Sequence, residues 1–161
     1  MTQVISSSHL YREAIAKLSA AGISNSTNEA AWLIEHAVGW TRLMMHTTPD
    51  RLVSVQDRQR IWDCVERRLS GEPLQYIVGS QDFWGRDFIV TRNVLIPRPE
   101  TEILVDLIAK QRDQGVLLDL CTGTGAIGIA LKKKHPQFEV YLSDLCEDAL
   151  EVAKQNAKRN E

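Results

Sequence analysis

The spacing of apolar residues divides the chain into two stretches of different character. Up to about residue 71 the pattern is helical throughout. Ser7 or Ser8 can cap a first helix whose apolar positions are Leu10, Ala14, Ile15 and Leu18, and Gly22 ends it. Ser26-Thr27-Asn28-Glu29 has the form of a capping box, in which hydroxyl and carboxylate satisfy each other's free backbone amides. The helix it opens carries Ala30, Leu33, Ile34, Ala37 and Val38 on one face and stops at Gly39. A short helix around Leu43-Met44-Met45 ends by Pro49. Ser54-Val55-Gln56-Asp57 starts another, with Ile61, Val65 and Leu69 inward and Gly71 beyond its end. Amphipathic helices joined by short loops predict a small bundle.

The period changes at Pro73. Leu74 to Val78, Gln81 to Trp84 and Asp87 to Val90 are short and rich in β-branched or aromatic residues, with Gly85-Arg86 between the last two. A β-hairpin connector is expected there. Pro99 suits the first turn of a helix that would bury Ile103, Leu104, Leu107 and Ile108. From Gly115 strand and helix alternate. Val116 to Leu120 is a continuous apolar run, as in a strand buried on both faces. Cys121 to Gly125 is a turn, Ala126 to Lys134 a helix, Phe138 to Leu142 a second strand, and Glu147 to Asn160 a second helix. This βαβα order is the opening of a doubly wound parallel sheet. Two parallel strands alone do not make a stable sheet, so the sequence reads as truncated, or completed by another chain.

Composition narrows the class. Of 161 residues 43% are hydrophobic and 25% charged, enough apolar material for a core. The net charge of −2 lacks the basic excess of a phosphate-binding surface, so no direct nucleic acid partner is expected. Cys64, Cys121 and Cys146 are far apart and form no Cys-x-x-Cys pair, which points to reduced thiols and away from a disulfide framework or zinc. The four histidines show no ligand spacing, and no metal site is expected. Met1 to Leu10 has neither a basic nor an apolar leader region, and no segment suits a membrane span. A cytoplasmic location is expected. Trp32, Trp40 and Trp62 fall in the helical stretch, where packing explains them better than base stacking.

The densest local signal is Leu117-Leu118-Asp119-Leu120-Cys121-Thr122-Gly123-Thr124-Gly125, which leaves a strand and enters a helix. Glycines there let the backbone approach a ligand, and the helix start offers unpaired N–H groups to an anion. Asp144, at the end of the next strand, can accept from both hydroxyls of a ribose. Gly123-x-Gly125-x-x-Gly128 also fits the dinucleotide fingerprint, and the bland alternative is that these glycines only allow close helix–strand packing. A carboxylate at Asp119 would repel a pyrophosphate and attract a cation. The zwitterion S-adenosylmethionine is therefore favoured over a nicotinamide dinucleotide.

Two further segments carry a resemblance. Gly71-Glu72-Pro73-Leu74-Gln75-Tyr76-Ile77-Val78-Gly79, followed by Phe83-Trp84, resembles the connector of HemK/PrmC-type methyltransferases. Leu95-Ile96-Pro97-Arg98-Pro99-Glu100-Thr101-Glu102 resembles the signature before their catalytic domain. The likeness implies a helical substrate-binding domain at 1–72, a hairpin linker at 73–97, and at 98–161 the first part of a Rossmann-like class I methyltransferase domain. It implies methylation of the glutamine side-chain nitrogen in the Gly-Gly-Gln motif of class 1 peptide release factors. Cys121, Thr122, Gly123, Thr124 and Gly125 would then form the cofactor loop, with Asp119 beside it, Asp144 on the ribose and Thr101 near the methionine end. Arg98 and Glu102 would brace the signature. Cys121 stands where the family usually has glycine, a modest change unless the position needs positive φ. The family's Asn-Pro-Pro-Tyr motif, which orients the amide, does not occur in these 161 residues, so they hold no catalytic residue of their own and are expected to be inactive alone. The competing expectations are a non-catalytic module that binds a release factor, a methyltransferase of another protein's glutamine, and a nicotinamide-dependent oxidoreductase.

Overall fold

The computed structural model describes residues 5–161. Met1 to Val4, part of the N-terminal stretch in which no leader is expected, lie outside the described residues. The chain divides into two units, Met1–Val78 and Gly79–Glu161.

The first unit is helical: α1 (Ser7–Ala20), α2 (Ser26–Val38), α3 (Arg42–Thr47), α4 (Val55–Leu69) and α5 (Leu74–Val78). Its core joins Leu10, Ala14 and Leu18 of α1, Leu33 and Ile34 of α2, and Ile61 and Val65 of α4, all essentially inaccessible to solvent. The cap of α1 is Ser6, which accepts from the His9 amide, and not Ser7 or Ser8. Ser7 instead turns inward and donates to the Thr48 and Pro49 carbonyls. The expected capping box of α2 does not form. Asn25 precedes the helix without a side-chain cap, and Glu29 pairs with Arg68 of α4 at 2.6 Å. A half-buried guanidinium is a stronger partner for a carboxylate than an amide that water can reach. Ser54 caps α4 as expected, accepting from Asp57 N–H at 3.0 Å.

Leu74–Val78 is helical despite its β-branched and aromatic content. Pro73 presets the helical φ, its carbonyl accepts from Tyr76 and Ile77, and Leu74 and Ile77, three apart, are buried together. Burial of this face outweighs strand propensity, which is itself mostly a packing preference.

In the second unit, β1 (Ser80–Phe83) and β2 (Arg86–Ile89) form an antiparallel hairpin, one residue earlier than the pattern suggested. Trp84 and Gly85 make its two-residue turn with φ of 53° and 68°. Positive φ at both positions matches the right-handed twist of the strands. Phe83 and Phe88 meet edge to face at 5.9 Å in the core beneath. Helix α6 (Glu100–Gln111) is held to this turn: Glu102 accepts from Trp84 N–H and Asp106 from its indole N–H. Then follow β3 (Gly115–Leu120), α7 (Ala126–Lys134), β4 (Phe138–Ser143) and α8 (Glu147–Arg159). Strands β3 and β4 pair in parallel.

Two burial expectations fail. Val116, Leu118 and Leu120 are 61–73% exposed, with Tyr141 beside them on β4. Residues alternate across a strand, and only the face carrying Leu117, Asp119, Val140 and Leu142 meets a helix among the described residues. Likewise α6 buries Val105 fully and Ile108 in part, but leaves Ile103, Leu104 and Leu107 exposed. The sequence is written for burial on more sides than these elements supply.

Candidate functional site

The site is the turn from β3 into α7 together with the end of β4. Parallel pairing of Leu120 with Ser143 sets the two strand ends side by side, and Thr122 N–H donates to the Ser143 carbonyl at 2.9 Å. The chain then folds back through Gly125 N–H to Thr122 O, also 2.9 Å.

The glycines divide their work. Gly128 packs: a Cβ there would lie 2.5 Å from Leu142 Cδ2 and 3.0 Å from Val140 Cγ1. Gly125 has φ 81° and starts α7 against Leu142 and Ala153. Gly123 is different. At φ 55° its missing side chain faces open space, with nothing within 4 Å. Close packing thus explains Gly128 and part of Gly125, while Gly123 leaves backbone accessible to a ligand.

Asp119 faces inward. It is buried, and its Oδ2 accepts from Thr122 Oγ1 at 2.8 Å and from Gly128 N–H at 3.0 Å. Of the amides that the helix start was expected to offer to an anion, one is already engaged. Gly128 is the third residue of α7, and its N–H, one of those left without a helical acceptor, is taken by a carboxylate of the protein. A pyrophosphate would find that donor used and a negative charge behind it.

Asp144 faces the loop. Its Oδ2 accepts from Gly123 N–H at 2.9 Å and its Oδ1 from Cys146 N–H at 3.0 Å. The amides of Cys146 first, then Gly123, hold the carboxyl below the ordinary aspartate range, since hydrogen bonds to the ionised form favour it. It remains accessible, so a charged acceptor is fixed at the rim of the turn.

Cys121 is exposed and sits at φ 59°, so this position does need positive φ. Thr122 and Thr124 are buried. Asp119, Cys121 to Gly125 and Asp144 therefore converge. Thr101 stands in the first turn of α6, half-buried, and no hydrogen bond ties it to the loop among the described residues. The pattern missed Asn156. It is fully buried on α8 and donates to the Thr124 carbonyl at 2.9 Å. Cys64, in the helical unit, is buried, and burial pushes its thiol up. No cluster of metal-ligating side chains occurs among the described residues, and none of the described helices is long and apolar enough to cross a membrane.

A glycine turn after a parallel strand, backed by one acid and faced by another, is the arrangement that opens a methyltransferase-type α/β domain. Residues 99–161 match the methyltransferase small domain, and residues 9–79 match the PrmC N-terminal domain. The chain thus carries a match to the PrmC N-terminal domain followed by a match to the methyltransferase small domain. It is 36% identical over 154 residues to a release factor glutamine methyltransferase of Koribacter versatilis, covering 94% of this chain and 55% of that protein. Proteins of the same name from Aliivibrio fischeri (38% over 153 residues; 94% and 54%) and Neisseria gonorrhoeae (41% over 130 residues; 80% and 48%) are similar to it. The chain spans about half the length of these curated relatives.

Proposed function

We propose that this chain carries the partner-docking and cofactor-binding portions of a cytoplasmic S-adenosylmethionine-dependent methyltransferase that modifies the Gly-Gly-Gln glutamine of class 1 release factors. The helical residues 1–72 would engage the release factor, 73–97 would link, and 98–161 would begin the cofactor domain. The observation that carries the cofactor reading is Gly123: its backbone is open on one side and its amide is fixed by Asp144 on the other. Asp144 would take the ribose hydroxyls. Cys121 to Gly125 would follow the nucleoside and methionine backbone, and Thr101 would approach the methionine end. Asp119 acts behind the loop, shaping it and disfavouring a second phosphate. When bound, the cofactor supplies an electrophilic methyl group.

An amide nitrogen is a poor nucleophile, because its lone pair is delocalised into the carbonyl. Transfer therefore depends on acceptors that orient the NH₂ toward the methyl. The 161 residues contain no Asn-Pro-Pro-Tyr turn to do this. We expect them alone to bind cofactor weakly and to give no transfer from radiolabelled S-adenosylmethionine to a release factor; counts in the factor's glutamine would refute the inactivity.

Binding is tested by titrating S-adenosylhomocysteine to millimolar levels while following the Gly123 and Gly125 amide resonances. Both should shift, should stay still with NAD, and should lose their response in Asp144→Asn. Movement with NAD alone would favour an oxidoreductase instead.

A further inference from the structure

One buried side chain outside the glycine turn joins it to a distant element. Asn156 has no solvent exposure and uses its whole amide. Its Oδ1 accepts from Ile89 N–H at 2.6 Å, and its Nδ2 donates to Ile89 O at 3.0 Å and to Thr124 O at 2.9 Å. The outer edge of β2 is thereby paired as a neighbouring strand would pair it, because Ile89 points both backbone groups away from β1. The contact to Thr124 lands inside the turn. Thr124 O and Gly125 N–H belong to one peptide unit. Asn156 holds its oxygen and Thr122 O holds its hydrogen. Gly125 is the residue type that would let this peptide rotate, so the two grips determine its plane.

We infer that Asn156 is a positioning residue that makes the shape of the glycine turn depend on the seating of the β1–β2 hairpin. Its bearing on ligand binding rests on the nucleoside reading above. An apolar replacement would orphan three backbone groups at once, one buried and two part-buried, which is costly. The neighbouring Asn160 donates to Asp87 O at 3.2 Å and to Asn156 O at 3.1 Å. It grips the same hairpin without reaching the turn, and so separates general loosening of α8 from loss of the Thr124 contact.

Asn156→Asp keeps the shape and the acceptor for Ile89 N–H but removes both donors. Amide hydrogen exchange at Gly125 should then quicken by about tenfold or more, the scale of losing one or two net hydrogen bonds, while Val140 in the sheet changes less. Asn160→Ala should leave Gly125 unchanged relative to Val140. Equal acceleration in both variants, or none in Asn156→Asp, would overturn the proposal. If Asn156→Asp does not fold, the unaltered chain decides. In denaturant below the unfolding transition, Ile89 and Gly125 amides should exchange through one opening with a common denaturant dependence, and two separate openings would overturn it. Titration of the unaltered chain with S-adenosylhomocysteine decides the nucleoside reading independently, so either failure is recognisable.

Discussion

Cys121 holds a backbone conformation that costs an L-residue roughly 1–2 kcal/mol, at an exposed position with a free thiol. Glycine would remove that strain, and its greater freedom in the unfolded chain would return about 0.5–1 kcal/mol of the gain. Cys121→Gly should therefore stabilise the second unit by about 0.5–1 kcal/mol, a rise of about 3–6 °C in its melting temperature for a domain of this size. An unchanged or lower midpoint would mean that the thiol makes a favourable contact. Asp144 yields a prediction of opposite kind. Its carboxyl is held below the ordinary aspartate range when folded, so its bonds to Cys146 and Gly123 favour the fold fully above the ordinary value and are lost as pH falls through the depressed one. The Gly123 and Cys146 amide resonances should titrate together with a midpoint below that of an ordinary aspartate. Independent midpoints, or one at the ordinary value, would refute the pairing. Both residues stand out in the sequence. The inward turn of Asp119 does not, because its partner Gly128 lies nine residues away on the following helix.

At the scale of elements, the approach of α7 to the sheet is set by the absence of one side chain. A methyl group at Gly128 would meet Leu142 at 2.5 Å, Val140 at 3.0 Å and the Asp119 carboxylate at 3.2 Å. The Leu142 methyl can turn aside, but the β-branched Val140 and the hydrogen-bonded Asp119 carboxylate are held on the strands that carry the turn. Gly128→Ala should cost about 1–3 kcal/mol, the range for forcing extra atoms into a packed core. Denaturant unfolding of the second unit would show it as a lower midpoint with unchanged slope; an unshifted midpoint would place the helix farther from the sheet. Strand–helix alternation and the turn after β3 were legible from period and glycine spacing. What propensity misread was Leu74–Val78, where Pro73 and paired burial prevail, and the α2 cap, where a partner 39 residues away claims Glu29. Asn156 was invisible for the same reason. Its partner Ile89 is 67 positions distant, and nothing in a helical repeat marks which polar residue will face inward.

For the whole molecule, the two units differ in how far they satisfy their own apolar surface. The second leaves Val116, Leu118, Leu120, Tyr141, Ile103, Leu104 and Leu107 in solvent. The first also exposes Trp32, Leu43, Met44, Leu52 and Val55, but its helices share one continuous core. Leu10, Leu18, Leu33, Ile34, Ile61 and Val65 are each at most 1% exposed, drawn from three helices, and Arg68–Glu29 ties α4 to α2. Domains of this size fold alone when the core is continuous. Residues 1–79 expressed by themselves should therefore give a helical circular dichroism spectrum and one cooperative thermal transition. Leu33→Ala, which removes a side chain at the centre of that core, should cost about 2–5 kcal/mol, enough to abolish or sharply lower the transition. A broad, non-cooperative melt of residues 1–79, or a Leu33→Ala variant that melts like its parent, would show that this core is not self-sufficient.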